Sequence, residues 1–254
     1  METTDKAPPQ NLYFEQAKVL HLWYCRFLIG TMIYSTVLPL LLADYSKFFQ
    51  VIDFLLVLKV FGLEYFYRRL QRKGEVIRRS ILMDDSFGTK LYDLDAAGFY
   101  DNATTSAGVK KLLANVHQSA FYTAEISKKM LQKSFVLMII WFAIVIIALF
   151  WGSPLSLGAL KIWLSYMVVG RFLDIMHLSA ESAKICRQAT KIWAVRLETG
   201  EAQNFISGAL SVNVLYETVL SESRILLDTK VKKQLDQQLE AGWADIRDRY
   251  ELAG

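Results

Sequence analysis

The sequence predicts an all-α membrane protein: two transmembrane helical hairpins, four spans in all, carrying a helical cytoplasmic domain. Three observations predict it. Residues 135–151, FVLMIIWFAIVIIALFW, form an unbroken apolar run, just long enough with its flanks to cross about 30 Å of hydrocarbon. Apolar residues fill 53% of the 254 positions, more than in an ordinary soluble domain, while the 21% that are charged require polar regions as well. Basic residues cluster between and after the apolar stretches and are sparse in the short turns that connect them.

The elements follow in order. Residues 1–18 are polar, include Pro8 and Pro9, and read as a cytoplasmic N-terminal segment. No small-residue cleavage site follows the first apolar run, so that run is expected to stay as a helix rather than be removed as a signal. Residues 19–66 form the first hairpin: an apolar stretch over 22–43, the short turn DYSK, and the return FFQVIDFLLVLKVFGLEYFY. Asp53, Lys59 and Glu64 make that return a poor isolated span, since a central charge costs roughly 2.5–3.5 kcal/mol. Its pairing across a tight turn keeps it in the membrane. Residues 67–133 are a cytoplasmic helical linker with a polar centre, DLDAAGFYDNATTSAG. Residues 134–178 are the second hairpin, in which GSPLSLG turns the 135–151 run into LKIWLSYMVVGRFLDIMHL. Residues 179–254 form the C-terminal cytoplasmic helical region, broken near Thr199 and Gly200. There Val214, Leu215, Val219, Ile225, Leu226, Val231, Leu235, Leu239 and Ile246 give one near-heptad apolar stripe. Neighbouring helices or a second subunit would have to cover it.

Orientation comes from the basic residues. Arg68, Arg69, Arg72, Lys73, Arg78 and Arg79 follow the first hairpin, Lys128, Lys129 and Lys133 precede the second, and Lys184, Arg187, Lys191 and Arg196 follow it. Only Lys47 and Lys161 fall at the opposite ends. The positive-inside rule then puts both termini and the linker in the cytoplasm.

Several charges fall inside the predicted spans. At 1.5 Å per residue from the hairpin turns, Arg26 and Glu64 both lie about 24 Å down, which suits an ion pair near the inner interface. Lys59 and Arg171 fall at about 16 Å, near mid-membrane, and Asp174 at about 21 Å, where it can take Arg171 at i+3 or Lys59 across helices. Two readings stand. These groups line a polar path or gate, as intramembrane charges facing protein or water do, or long basic stems reach toward the interface. The second is favoured for Arg26 and Glu64; for Lys59 with Asp174 the two are even. Asp53, about 7 Å from the outer edge, is interfacial.

Catalysis is not expected. His21, His117 and His177 share no ligand spacing with acids or cysteines, and no metal site, cofactor or disulfide framework follows from Cys25 and Cys186. Asp93, Asp95, Gly98 and Asp101 faintly suggest a calcium loop, but Ala97 and Thr104 stand where ligands are needed. The basic residues are more informative. Lys184, Arg187 and Lys191, at i, i+3 and i+7, share one helical face just below the membrane. That stripe suits anionic headgroups, at about 1 kcal/mol per residue, and would also hold the phosphates of a nucleotide or oligonucleotide. Arg68, Arg69, Arg72 and Lys73 form a comparable cluster.

One motif is more particular. In EVIRRSILMDDSFGTKL, an aliphatic and basic helix ends in acid-x-x-Phe-Gly, here Asp84, Phe87 and Gly88. With the two-plus-two spans, this resembles the four-transmembrane pore-forming effectors encoded beside oligonucleotide-second-messenger synthetases in bacterial anti-phage operons. It is similar in plan to the membrane effector of the Hailong system. The resemblance implies a bacterial inner-membrane effector that depolarises the infected cell, gated by a nucleotide or oligonucleotide made by a partner nucleotidyltransferase. Four spans are too few to enclose a generous pore, so a homo-oligomer, a tetramer, is expected. The rival class is a non-conducting membrane scaffold that recruits a cytoplasmic partner through its C-terminal helices.

Overall fold

The structure, a computed structural model, describes residues 9–41, 46–91, 100, 102, 105–151, 169–199, 202–223 and 225–250. Side chains at 35–50, 53 and 147–151, among others, are not part of that description. The described chain is all-α. Its helices are α1 (Pro9–Leu41), α2 (Ser46–Phe87), α3 (Val109–Trp151), α4 (Gly170–Thr199), α5 (Ala202–Ser223) and α6 (Thr229–Arg249). Two compact units divide it, residues 1–80 and 81–254.

In the first unit, α1 opens on Pro9, whose fixed φ and missing N–H suit a first helical position. It runs antiparallel to α2. Gly74 lies against Phe14, and the His21 ring lies 4.9 Å from that of Tyr67; both pairs of residue numbers add to 88, so the register is centred on residue 44, between the helices. A Cβ at position 74 would sit 2.6 Å from Phe14 Cε1, so the close approach depends on glycine. The outward face of α2 from Val51 to Phe66 is largely apolar. Val51, Phe54, Leu55, Leu58, Phe61, Tyr65 and Phe66 of α2 each expose half or more of their area.

The second unit is built from the last two turns of α2 and from α3 to α6. Its main core joins Leu112, Leu113 and Val116 of α3 to Leu178, Ile185 and Trp193 of α4, Val212 and Tyr216 of α5, and Trp243 of α6. A second cluster links Ile126 and Met130 to Ile175, Val231 and Leu239. Helices α3 and α4 are antiparallel with a register fixed twice. His117 Nε2 meets Thr190 Oγ1 at 3.4 Å, and the rings of Phe135 and Phe172 lie 6.1 Å apart, so both pairs total 307 over five turns.

The C-terminal apolar stripe is not one helix. Residues 225–228 interrupt it, and the Asp228 carboxylate starts α6 by accepting from the Lys230 N–H at 2.8 Å. Val219, Val231 and Leu239 are buried, while Val214 and Leu215 face outward. Intramolecular neighbours thus cover its middle and C-terminal parts.

Among the described residues no helix is long and apolar enough to cross a membrane. The GSPLSLG turn and the upper half of the fourth predicted span lie outside the described residues, as do the first turn at 42–45, the side chain of Asp53 and the faint calcium loop. Helix α3 nevertheless changes character along its length. From Leu112 to Met130 its apolar residues are buried, or partly buried at Phe121 and Tyr122, whereas Phe135, Val136, Leu137, Ile139, Ile140, Phe142 and Ile146 are 48–56% exposed. At 100° per residue these outward side chains cover more than half of the helix circumference.

Candidate functional site

The family-like motif builds the end of α2. Gly88 adopts φ 68°, a left-handed conformation that suits glycine, and its N–H donates to the Asp84 carbonyl at 2.8 Å. The Asp84 carboxylate accepts from Thr89 Oγ1 at 2.7 Å and from the Leu91 N–H at 2.6 Å, tying the emerging chain back to the helix. Phe87 is exposed. Asp84 and Gly88 therefore terminate a helix.

Beside them lies a buried polar cluster that the sequence reading missed. The Asp85 carboxylate, 1% exposed, meets Lys111 Nζ at 3.1 Å and accepts from Asn115 Nδ2 at 2.8 Å. Asn115 Nδ2 also reaches Ser86 Oγ, and its Oδ1 accepts from Asn102 Nδ2, which in turn donates to Gln118 Oε1 at 3.0 Å. The Gly108 N–H donates to the Ser86 carbonyl at 2.7 Å, joining the start of α3 to the end of α2. The signal was legible as Lys111, Asn115 and Gln118 at i, i+4 and i+7, one polar row beside the apolar Leu112, Leu113 and Val116. Every member except Lys111 is buried, so the cluster offers no surface to a substrate. It braces the segment between α2 and α3.

The predicted intramembrane charges separate. Glu64 pairs with Arg68 one turn along α2, through Arg68 Nε at 3.0 Å and a second contact from Nη2, rather than with Arg26. Arg26 instead lies 5.5 Å from the Trp23 ring centroid. The i, i+4 spacing lets Arg68 aim two N–H donors at the Glu64 Oε1. Lys59 Nζ stands 4.1 Å over the Phe27 ring, within cation–π range. Asp174 belongs to the other unit, and Lys59 and Asp174 are each described within their own.

The α3–α4 register sets two of these charges against positions on α3. A constant total of 307 sets Arg171 level with Val136 and Asp174 level with Lys133. Both are exposed and stand at the boundary between the basic and apolar parts of α3, not midway along the apolar run.

The basic residues form an open surface. Lys184, Arg187 and Lys191 are exposed on the α4 face opposite Ile185, Ala189 and Trp193, with Lys184 3.3 Å from Glu181. Lys128, Lys129 and Lys133 are exposed on α3, and Arg69, Arg72 and Lys73 on α2. Arg187 and Lys191 share this exposed face with the Lys184–Glu181 pair.

Two further titratable groups lie in the core of the second unit. Burial pushes the His117 imidazole down to about 4; its ring packs edge-on to Trp243 at 5.4 Å. Burial, with help from Glu125, pushes the Cys186 thiol up to about 11, so it stays protonated and unreactive at neutral pH. Among the described residues no group of three His, Cys, Asp or Glu could hold a metal ion.

His117 makes a prediction about pH. Its folded value lies below the ordinary 6.5, so the unfolded chain binds the proton more readily, and acid favours unfolding. Between pH 6.5 and about 4 the group is expected to remove up to about 1.4 kcal/mol of stability per pH unit. Denaturant melts of wild type and His117→Gln across that window should show a shallower pH slope in the variant. Equal slopes would assign the acid sensitivity elsewhere.

Comparison with protein-family models, with curated proteins and with solved structures finds no match for this chain.

Proposed function

We propose that the chain is a membrane-embedded, homo-oligomeric ion channel of the bacterial pore-forming effector type. It sits in the inner membrane with both termini cytoplasmic, and its cytoplasmic helices sense a nucleotide or oligonucleotide. The observation that carries this reading is the inversion along α3. One continuous helix buries its apolar residues up to Met130, presents Lys128, Lys129, Gln132 and Lys133 outward, and then turns a half-exposed apolar surface outward from Phe135 to Ile146. A water-facing surface rarely holds a contiguous apolar patch beyond a few hundred Å². Seven bulky side chains on α3, and as many on α2, call for hydrocarbon rather than water. A basic band at the edge of such a surface is what the positive-inside rule places at the cytoplasmic face.

In this reading Arg171 and Asp174 stand at the inner mouth of the pore, level with Lys133, and the basic face of α4 continues directly below them. A phosphate-bearing signal on Lys184, Arg187 and Lys191 would then act on the same helix that carries the mouth. A tetramer encloses the polar path that one subunit cannot. The test is ion flux from liposomes holding the purified protein, with and without candidate oligonucleotides. Flux that responds to an oligonucleotide and is altered by Asp174→Lys is expected. Sealed vesicles under every condition would contradict the channel and favour the scaffold.

A further inference from the structure

Lysines from two distant parts of the chain meet where α3 changes from a core helix to one with an apolar outward surface. Lys128, Lys129 and Lys133 lie within about 5 Å of Met130 along α3. The fold brings the start of α6 to the same level. The Asp228 N–H donates to Met130 Sδ at 3.4 Å, and Val231 packs with Ile126, Met130 and Ile175. From there α6 runs back along α3, so that the Trp243 ring meets that of His117 at 5.4 Å. Lys230, Lys232 and Lys233, within about 8 Å of Asp228 along the helix, therefore stand at the end of α6 nearer the apolar stretch. All six lysines are exposed, and among the described residues none of their ammonium groups has an ion-pair or hydrogen-bond partner.

Acidic neighbours at this level are fewer. Glu222 lies near the end of α5, Asp174 is level with Lys133, and the Asp228 carboxylate is engaged by the Lys230 N–H. Glu125, Glu181 and Asp236 lie about a turn or more further from the apolar stretch, and Glu181 is paired with Lys184. The level keeps an excess of positive charge, and Phe135, Val136 and Leu137 border it directly with half-exposed apolar side chains.

We propose that the start of α6 rests on the membrane surface and that Lys230, Lys232 and Lys233, with Lys128, Lys129 and Lys133, bind the headgroups of acidic phospholipids there. The juxtaposition decides the partner. A soluble polyanion would meet the cations and leave the adjoining apolar side chains in water, whereas an acidic phospholipid supplies an anion and a hydrocarbon chain in the same order as the protein surface. The lysine stems can lie along the apolar edge while their ammonium groups stay among the headgroups. The inference deepens the membrane part of the proposed function and rests on it.

Spin-labelled lipids in vesicles of phosphatidylcholine and phosphatidylglycerol holding the full chain test it. At about 0.1 M salt the protein is expected to restrain labelled phosphatidylglycerol more than labelled phosphatidylcholine, and to lose that preference at about 1 M, where the screening length falls from about 10 Å to about 3 Å. Lys230→Gln, Lys232→Gln and Lys233→Gln together should remove at least half of the preference. These exposed changes leave the fold intact. Arg249→Gln, at the far end of α6, should leave the preference unchanged. Equal restraint of the two lipids by the wild type, or an undiminished preference in the triple variant, would overturn the proposal while the membrane reading stood. A triple variant that keeps the lipid preference and loses binding of an oligoadenylate would assign the lysines to a soluble phosphate ligand and overturn it too. Restraint of neither lipid would contradict the membrane reading itself, and the proposal with it.

Discussion

Ile139→Arg is expected to cost the proposed third span insertion free energy, bounded above by the roughly 2.5–3.5 kcal/mol of an arginine at the centre of a membrane helix, which lies about one turn further on. Ile139 lies four residues into the outward-facing apolar stretch and is 52% exposed, so the new side chain meets no tightly packed neighbour. In water such an exposed substitution would change stability by no more than about 0.5 kcal/mol. The two environments thus differ several-fold in the effect they assign to one mutation. The fraction of full-length chain that resists alkaline extraction from membranes should drop sharply for Ile139→Arg. It should stay at the wild-type level for Gln132→Arg, which falls in the basic band about two turns earlier.

Asp85→Ala is expected to be the most damaging single change in the second unit. It leaves Lys111, whose side chain is only 13% exposed, without its carboxylate, and it strips Asn115 of an acceptor. Removing one partner of a buried pair costs about 3–5 kcal/mol, because the remaining charge is stranded. For a unit of this size that is a fall in Tm of roughly 6–20 °C. Replacing both members, Asp85→Leu with Lys111→Met, should recover most of the loss, since two apolar side chains leave no uncompensated charge. Thermal melts of the three proteins check it. A double variant no more stable than Asp85→Ala would mean that the wider hydrogen-bond cluster, rather than the ion pair, holds α2 to α3.

Much of this architecture was legible in the sequence because it depends on periodicity and on local breaks. Long apolar and basic runs without internal glycine or proline clusters gave the helices, and Thr199 ends α4 where the chain was expected to break. Gly88, after an acid and a phenylalanine, marked the end of α2, although its role as a left-handed cap needed the backbone to show it. What the sequence hid is tertiary. The stripe from Val214 to Ile246 reads as one helix, because nothing in ILLD announces a break except the capping capacity of Asp228. Arg26 and Glu64 share an estimated depth, but depth does not set azimuth, and Arg68 was one turn closer to Glu64. Register between helices was not legible either: the contacts His117–Thr190 and Phe135–Phe172 set Arg171 level with Val136 and Asp174 level with Lys133.

The boundary between Lys133 and Phe135 is therefore the feature on which the functional reading turns. Single cysteines at Lys128, Lys133, Phe135, Ile139 and Phe142, spin-labelled in proteoliposomes, measure it through their relative accessibility to oxygen and to a water-soluble nickel complex. Embedding in lipid predicts high nickel accessibility at 128 and 133, then a steep change to high oxygen and low nickel accessibility by 139 and 142. Comparable nickel accessibility at all five positions would place the apolar surface of α3 in water and contradict the membrane reading.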